Sequence, residues 1–126
     1  MTTIPITITF ISIYAIALLV LTGWIGLMRG KMGILRGHGQ DAVLEKRIRF
    51  HGNLIENAPA MALVLGASES LGISDWILWL AVCSFGVGRI LFFKLYDKEV
   101  RALAMSLTQF PAALLAFWCL FTVYSM

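Results

Sequence analysis

Residues 4–27 read IPITITFISIYAIALLVLTGWIGL, a run without a single charged side chain. A helix rises about 1.5 Å per residue, so this run exceeds the roughly 20 residues that cross about 30 Å of hydrocarbon. It has no basic region before it and no A-x-A-like cleavage site after it, so it reads as a retained membrane helix and not as a secretory signal. The remainder of the chain agrees. Residues 102–126 carry no charge, and Trp76 to Gly88 forms a third apolar run that continues past Arg89 to Phe93. Of the 126 residues 60% are hydrophobic and only 13% charged, too few polar side chains to cover a water-soluble globule. With Phe50 to Glu69 as a more polar fourth segment, the sequence predicts an all-α integral membrane protein, a bundle of four transmembrane helices. Hydrocarbon leaves backbone groups no partner outside a helix or a closed barrel.

The expected helices cover about residues 4–28, 41–69, 74–96 and 100–124, in one domain spanning residues 1–126 with no linker or repeat. Pro5 suits a first helical turn. Asp41 is placed to cap the second helix, with Glu45 four residues on. Pro59 and Pro111 each free the carbonyl four residues earlier, those of Ile55 and Leu107, and neighbouring helices or side chains must satisfy them. All ten basic residues lie between Arg29 and Arg49 or between Arg89 and Arg101. The positive-inside rule therefore places loops 1 and 3 in the cytoplasm and both termini on the opposite side. Topology and anionic lipid account for this basic fringe, so no nucleic-acid partner is expected. Cys83 and Cys119 lack CxxC or metal spacing and read as packed thiols; no metal site is expected. His38 and His51 likewise have no second ligand at metal spacing.

The second segment, RFHGNLIENAP at residues 49–59, is polar where hydrocarbon is expected. At about 100° per residue, Glu45, Arg49, Asn53, Glu56 and Ala60 fall on one helical stripe. An ionised Glu56 facing lipid costs on the order of 2.5 kcal/mol or more, so it needs a partner, and Arg89 on the antiparallel third helix is the obvious cation. Arg89 and Tyr96, seven residues apart, share a face. Two roles fit Glu56, Asn53 and Arg89: a buried network that fixes packing, or part of an anion site. Arg49, Arg101, Tyr96 and Asn53 gather at the same end of the bundle, where a water-soluble anion can enter. Arg101 opens the fourth helix, and Arg101, Met105 and Gln109 step up one face toward Pro111. Its guanidinium either snorkels at the interface or combines with the helix dipole into a stronger anion site.

These residues resemble those of the MAPEG family, the membrane-associated proteins in eicosanoid and glutathione metabolism. EKRIRFHGNLIENAP looks like the family's Arg-x-x-x-Asn-x-x-Glu followed by Pro, and GRILFFKLY looks like its Gly-Arg followed seven residues later by Tyr. RALAMSLTQFP at the start of the fourth helix is a weaker match, and the resemblance covers essentially the whole chain. It implies a homotrimer of four-helix subunits of the microsomal glutathione transferase type, with glutathione as co-substrate between subunits. Carried over by position, it implies that Arg49, Asn53, Glu56, Arg89 and Tyr96 hold the tripeptide, that His51 is a polar contact, and that Arg101 is the catalytic arginine stabilising the thiolate. The family pattern is not met throughout: Met105 stands where several of these enzymes have tyrosine, Phe92 where some have a polar side chain, and the turn DKEV is shorter.

The implied activity is transfer of glutathione, or glutathione-dependent peroxide reduction, acting on hydrophobic small-molecule electrophiles that arrive through the bilayer. The chemistry suits the residues, because glutathione brings two carboxylates for arginines and an ammonium for a carboxylate. Two other classes remain: a non-catalytic lipid- or thiol-binding scaffold of the same family, and a small proton-coupled exporter. The exporter is disfavoured because such proteins carry their key glutamate in the first helix, which here has no charge.

Overall fold

The computed structural model describes residues 3–126 as four helices: α1 Pro5–Met32, α2 Ala42–Ser70, α3 Asp75–Lys94 and α4 Arg101–Ser125. There is no strand among the described residues. α1 runs one turn beyond its expected end at Met28. The charged RGKM segment stays helical until Gly33, whose left-handed φ of 67° lets its N–H bond the Arg29 carbonyl. The end of the apolar run marks where hydrocarbon stops, which is not where the helix stops. Asp41 caps α2 as expected, its Oδ1 accepting from the Leu44 N–H at 2.7 Å.

Side-chain pairs fix the topology. Trp24 meets Arg47 and Glu69 meets Ile6, so α1 and α2 are antiparallel. Ser84 meets Leu107 and Arg89 meets Met105, so α3 and α4 are antiparallel too. Phe10 packs on Phe85 and Trp24 on Phe93, which makes α1 and α3 parallel, while Asn57 with Gln109 and Ser68 with Cys119 do the same for α2 and α4. The result is an up-down-up-down bundle. One end carries the basic loop after α1 and the α3–α4 turn, and will be called the basic end.

α2 supplies the spine of the core. Leu54, Ala58, Met61 and Leu65 recur at spacings of four, three and four and are buried against Ile6, Phe10, Leu78, Phe85 and Leu115. Outside the core, large apolar side chains face outward along the bundle, among them Leu19, Leu27, Leu114, Phe117 and Phe121. Apolar surface on this scale belongs against lipid or another protein. α1, α3 and α4 are each long and apolar enough to cross a membrane. α2 does not qualify by composition, because the stripe opposite its core face is polar. The protein is a membrane protein.

The carbonyl that Pro111 frees is satisfied as required: Ser84 Oγ donates to the Leu107 carbonyl at 2.8 Å. The α3–α4 contact is also close. A Cβ on Gly88 would lie 2.8 Å from the Thr108 nitrogen and 2.9 Å from the Ala104 carbonyl oxygen, a separation only glycine permits.

Candidate functional site

The polar stripe of α2 lies on roughly the opposite side of the helix from the Leu54–Leu65 core face, at about 100° per residue. It therefore points out of the bundle, and two recesses open on either side of it. In the first, Glu45, Arg49 and Asn53 from α2 face Phe92 of α3, Tyr96 of the following turn, and Arg101 and Met105 of α4, around a volume of about 430 Å³. In the second, also about 430 Å³, the same three α2 residues and Glu56 face Arg29 at the end of α1 and His38 in the loop. Glu45, Arg49 and Asn53 are common to both. Each volume falls within the roughly 300–1,000 Å³ of ordinary ligand pockets.

Each side chain has a local reason for its position. Asn53 Nδ2 donates to the Arg49 carbonyl at 2.9 Å, and Asn57 Nδ2 to the Asn53 carbonyl at 2.7 Å, so both amides lie back along their own helix. Arg101 Nη1 reaches the Tyr96 carbonyl at 3.4 Å, and its guanidinium lies 5.7 Å from the Tyr96 ring centre. The Tyr96 ring meets Phe92 edge-on at 5.9 Å, and Phe92 in turn lies 4.9 Å below the Arg89 guanidinium. Arg101, Tyr96, Phe92 and Arg89 thus form one stack from the recess into the bundle.

The structure brings Arg49, Asn53, Tyr96 and Arg101 together around the first recess, places Glu56 with Arg49 and Asn53 in the second, and leaves Arg89 and His51 outside both. Glu56 does not pair with Arg89. It is exposed on the outward stripe and lines only the second recess. A stripe opposite the core face cannot reach a guanidinium buried between α3 and α4. Arg89, only 4% exposed, instead donates from Nε and Nη2 to Thr108 Oγ1 at 3.0 and 2.8 Å and from Nη2 to Met105 Sδ at 3.1 Å. It stands behind Phe92 and lines neither recess. His51 turns the other way, its Nε2 3.0 Å from Thr22 Oγ1 on α1.

Glu45, Phe92, Met105 and Thr108 complete the picture without having been singled out as site residues. Glu45 sits on the recognised stripe and Thr108 lies three residues from Met105, one helical step along the same face. The sequence spacing leads along that face to Gln109 instead, whose Nε2 donates to Asn57 Oδ1 at 3.3 Å. No group of three or more histidine, cysteine, aspartate or glutamate side chains among the described residues is placed to hold a metal ion.

The arrangement can bind an anion. Two guanidiniums, a carboxylate, an amide and a phenol converge on an open recess, with no side-chain pairing among the described residues that consumes the Arg49 charge. Comparison with curated proteins and with solved structures gave no match. Comparison with protein families gave one: the MAPEG family, whose model matches residues 7–121. With nearly the whole length of its four helices matched, the chain belongs to the MAPEG family.

Proposed function

We propose that the protein is a membrane-bound glutathione transferase, with peroxidase activity as a related reaction, whose thiol site is the recess joining α2 to the start of α4. The observation that carries this reading is the convergence of Arg49, Asn53 and Glu45 with Tyr96 and Arg101 around one volume. The donor set fits glutathione. Arg49 pairs with one carboxylate, Arg29 in the adjoining recess offers a second guanidinium, and Glu45 receives the ammonium. Because Glu45, Arg49 and Asn53 border both recesses, a tripeptide can straddle the stripe, with Glu56 as the carboxylate on the far side.

Glutathione, when bound, supplies a sulfur nucleophile that displaces a leaving group from an apolar electrophile, its thiol proton passing to water. Arg101 is the catalytic residue. A free thiol has a pKa of about 8.5, and a fixed guanidinium at the first turn of a helix favours the thiolate through both its charge and the helix dipole. Tyr96 holds that guanidinium through its carbonyl and ring. Arg89 is a positioning residue that sets Phe92 and α4 from behind, and His51 acts by fixing α2 against α1. Both recesses are open to the side, and in the homotrimer of this reading a neighbouring copy closes them, with the basic end facing the cytoplasm.

Calorimetric titration of glutathione into the detergent-purified protein tests the site. Saturable binding is expected, lost in Arg49→Ala. Arg101→Ala is expected to keep binding within several-fold while conjugation of an apolar electrophile falls about 10²–10³-fold, the usual loss for one preorganised charge-stabilising group. Failure of the folded protein to bind any glutathione would replace this reading with a non-catalytic lipid- or thiol-binding scaffold.

A further inference from the structure

On the side of the bundle away from both recesses, α1 and α3 diverge over a groove of about 490 Å³, floored by α2. Phe10, Tyr14, Ala17, Leu54, Phe85 and Gly86 make it almost wholly apolar along its length. Toward the basic end each of the three helices carries the groove one turn further into a cluster of rings and cations. Val20 and Leu21 lead to Trp24, Phe50 to Lys46 and Arg47, and Ile90 to Phe93. Lys46 Nζ sits 4.5 Å from the Phe93 ring centre, and the Arg47 guanidinium lies 3.8 Å from that of Trp24. Those two rings are 5.9 Å apart, and Phe93 also meets Phe50 edge-on at 5.2 Å.

Among the described residues the charges at this mouth have no acidic partner. Arg47 Nε is buried without a hydrogen-bond partner among the described residues, and so is Nη1 of Arg89, which lines the groove one helical turn deeper than Phe93. Two cations held on neighbouring aromatic faces are preorganised and half-desolvated, which favours a single anion between them. A soluble anion would leave the apolar groove unexplained, and a neutral lipid would leave the two cations unexplained.

We propose that this groove is a binding site for an acidic glycerophospholipid, with an acyl chain along α1 and α3 and the phosphate held by Lys46 and Arg47. Arg89, about 5.4 Å deeper by the pitch of its helix, is at the level of the ester linkage and offers its free Nη1 there. The groove runs between α1 and α3, whereas the recess of Arg49 and Asn53 is closed by Tyr96, Arg101 and Met105, so lipid binding does not depend on glutathione binding.

Native mass spectrometry of the full-length protein with equal amounts of phosphatidylglycerol, phosphatidylcholine and oleate tests this. Each cation near an anionic surface is worth about fivefold, so two give phosphatidylglycerol roughly a thirtyfold preference over phosphatidylcholine. Lys46→Gln with Arg47→Gln is expected to bring the two phospholipids to near parity. Gly86→Leu, whose side chain enters space with nothing within 4 Å of its Cβ, is expected to cut phosphatidylglycerol adducts several-fold. Ala17→Leu, from the facing helix, makes the same test should the first variant fail to fold. Equal retention of the two phospholipids by the unaltered protein overturns the proposal, as does a preference that survives loss of both cations. Displacement of phosphatidylglycerol by equimolar oleate also overturns it, in favour of a free fatty acid.

Discussion

Arg89 owes its place to one hydroxyl. Thr108 Oγ1 accepts two bonds from the guanidinium and its own O–H donates to the Ala104 carbonyl at 3.0 Å, so its donor and acceptor capacities are both used. Thr108→Val keeps the shape and removes the acceptor; hydrogen bonds to a charged group contribute about 1.5–3 kcal/mol, and a loss of that size is expected in detergent melts. An unchanged melting point would mean that Met105 Sδ or water suffices. At the other end of the bundle, Glu69 accepts from the backbone N–H groups of Ile6 at 2.9 Å and Thr7 at 2.8 Å. Ile4, at the cap position of α1, has no side chain able to do this. Glu69→Ala should destabilise the fold by about 0.5–2 kcal/mol, the usual value of a helix cap, with circular dichroism following the loss. Neither role was legible in the sequence, because Glu69 and Thr108 meet partners set by packing and not by local spacing. Arg49, Asn53, Tyr96 and Arg101 were legible as neighbours, since helical periodicity and antiparallel order suffice to bring them to one end.

Elements meet where their surfaces allow, and α3 against α4 is the sharpest case. Gly88→Ala would drive a methyl group against the backbone of Ala104 and Thr108, so the helices must part. Overpacking of this kind costs about 1–3 kcal/mol. Gly86→Ala, two residues away with nothing within 4 Å, is the control and should leave the melting point unchanged or raise it, since alanine is the better helix former. A tolerant Gly88→Ala would show that the two helices can slide apart without loss. The proline at 111 announced a free carbonyl in the sequence, and the small residues Ser84 and Gly88 announced a close contact; that the hydroxyl of Ser84 answers the carbonyl freed by Pro111 needed the register of one helix on the other. The polar stripe of α2 was legible as a stripe, but not its direction. Only the position of the Leu54–Leu65 face, which had to be known to be the core, turns Glu56 outward and away from Arg89.

For the whole molecule, leaving Glu56 and Gln109 exposed on a bundle that also exposes Leu114 and Phe117 is costly for a single chain in a membrane. The homotrimer of the proposed function covers them, and native mass spectrometry in mild detergent is expected to give three chains, with a purely monomeric species sinking that assembly. The cap on α1 has a different consequence, for biogenesis. Ile6 and Thr7 depend on a residue 63 and 62 positions downstream. While the ribosome has released only α1, the start of that helix has exposed amide donors and no carboxylate to receive them. They are served only when α2 has crossed back so that its end lies beside the start of α1, which an inverted α2 cannot do. The glutamate therefore acts as a proofreading latch on the first hairpin. In a cell-free translation series, protection of residues 5–8 from protease should arise only in nascent chains long enough to have emerged past position 69.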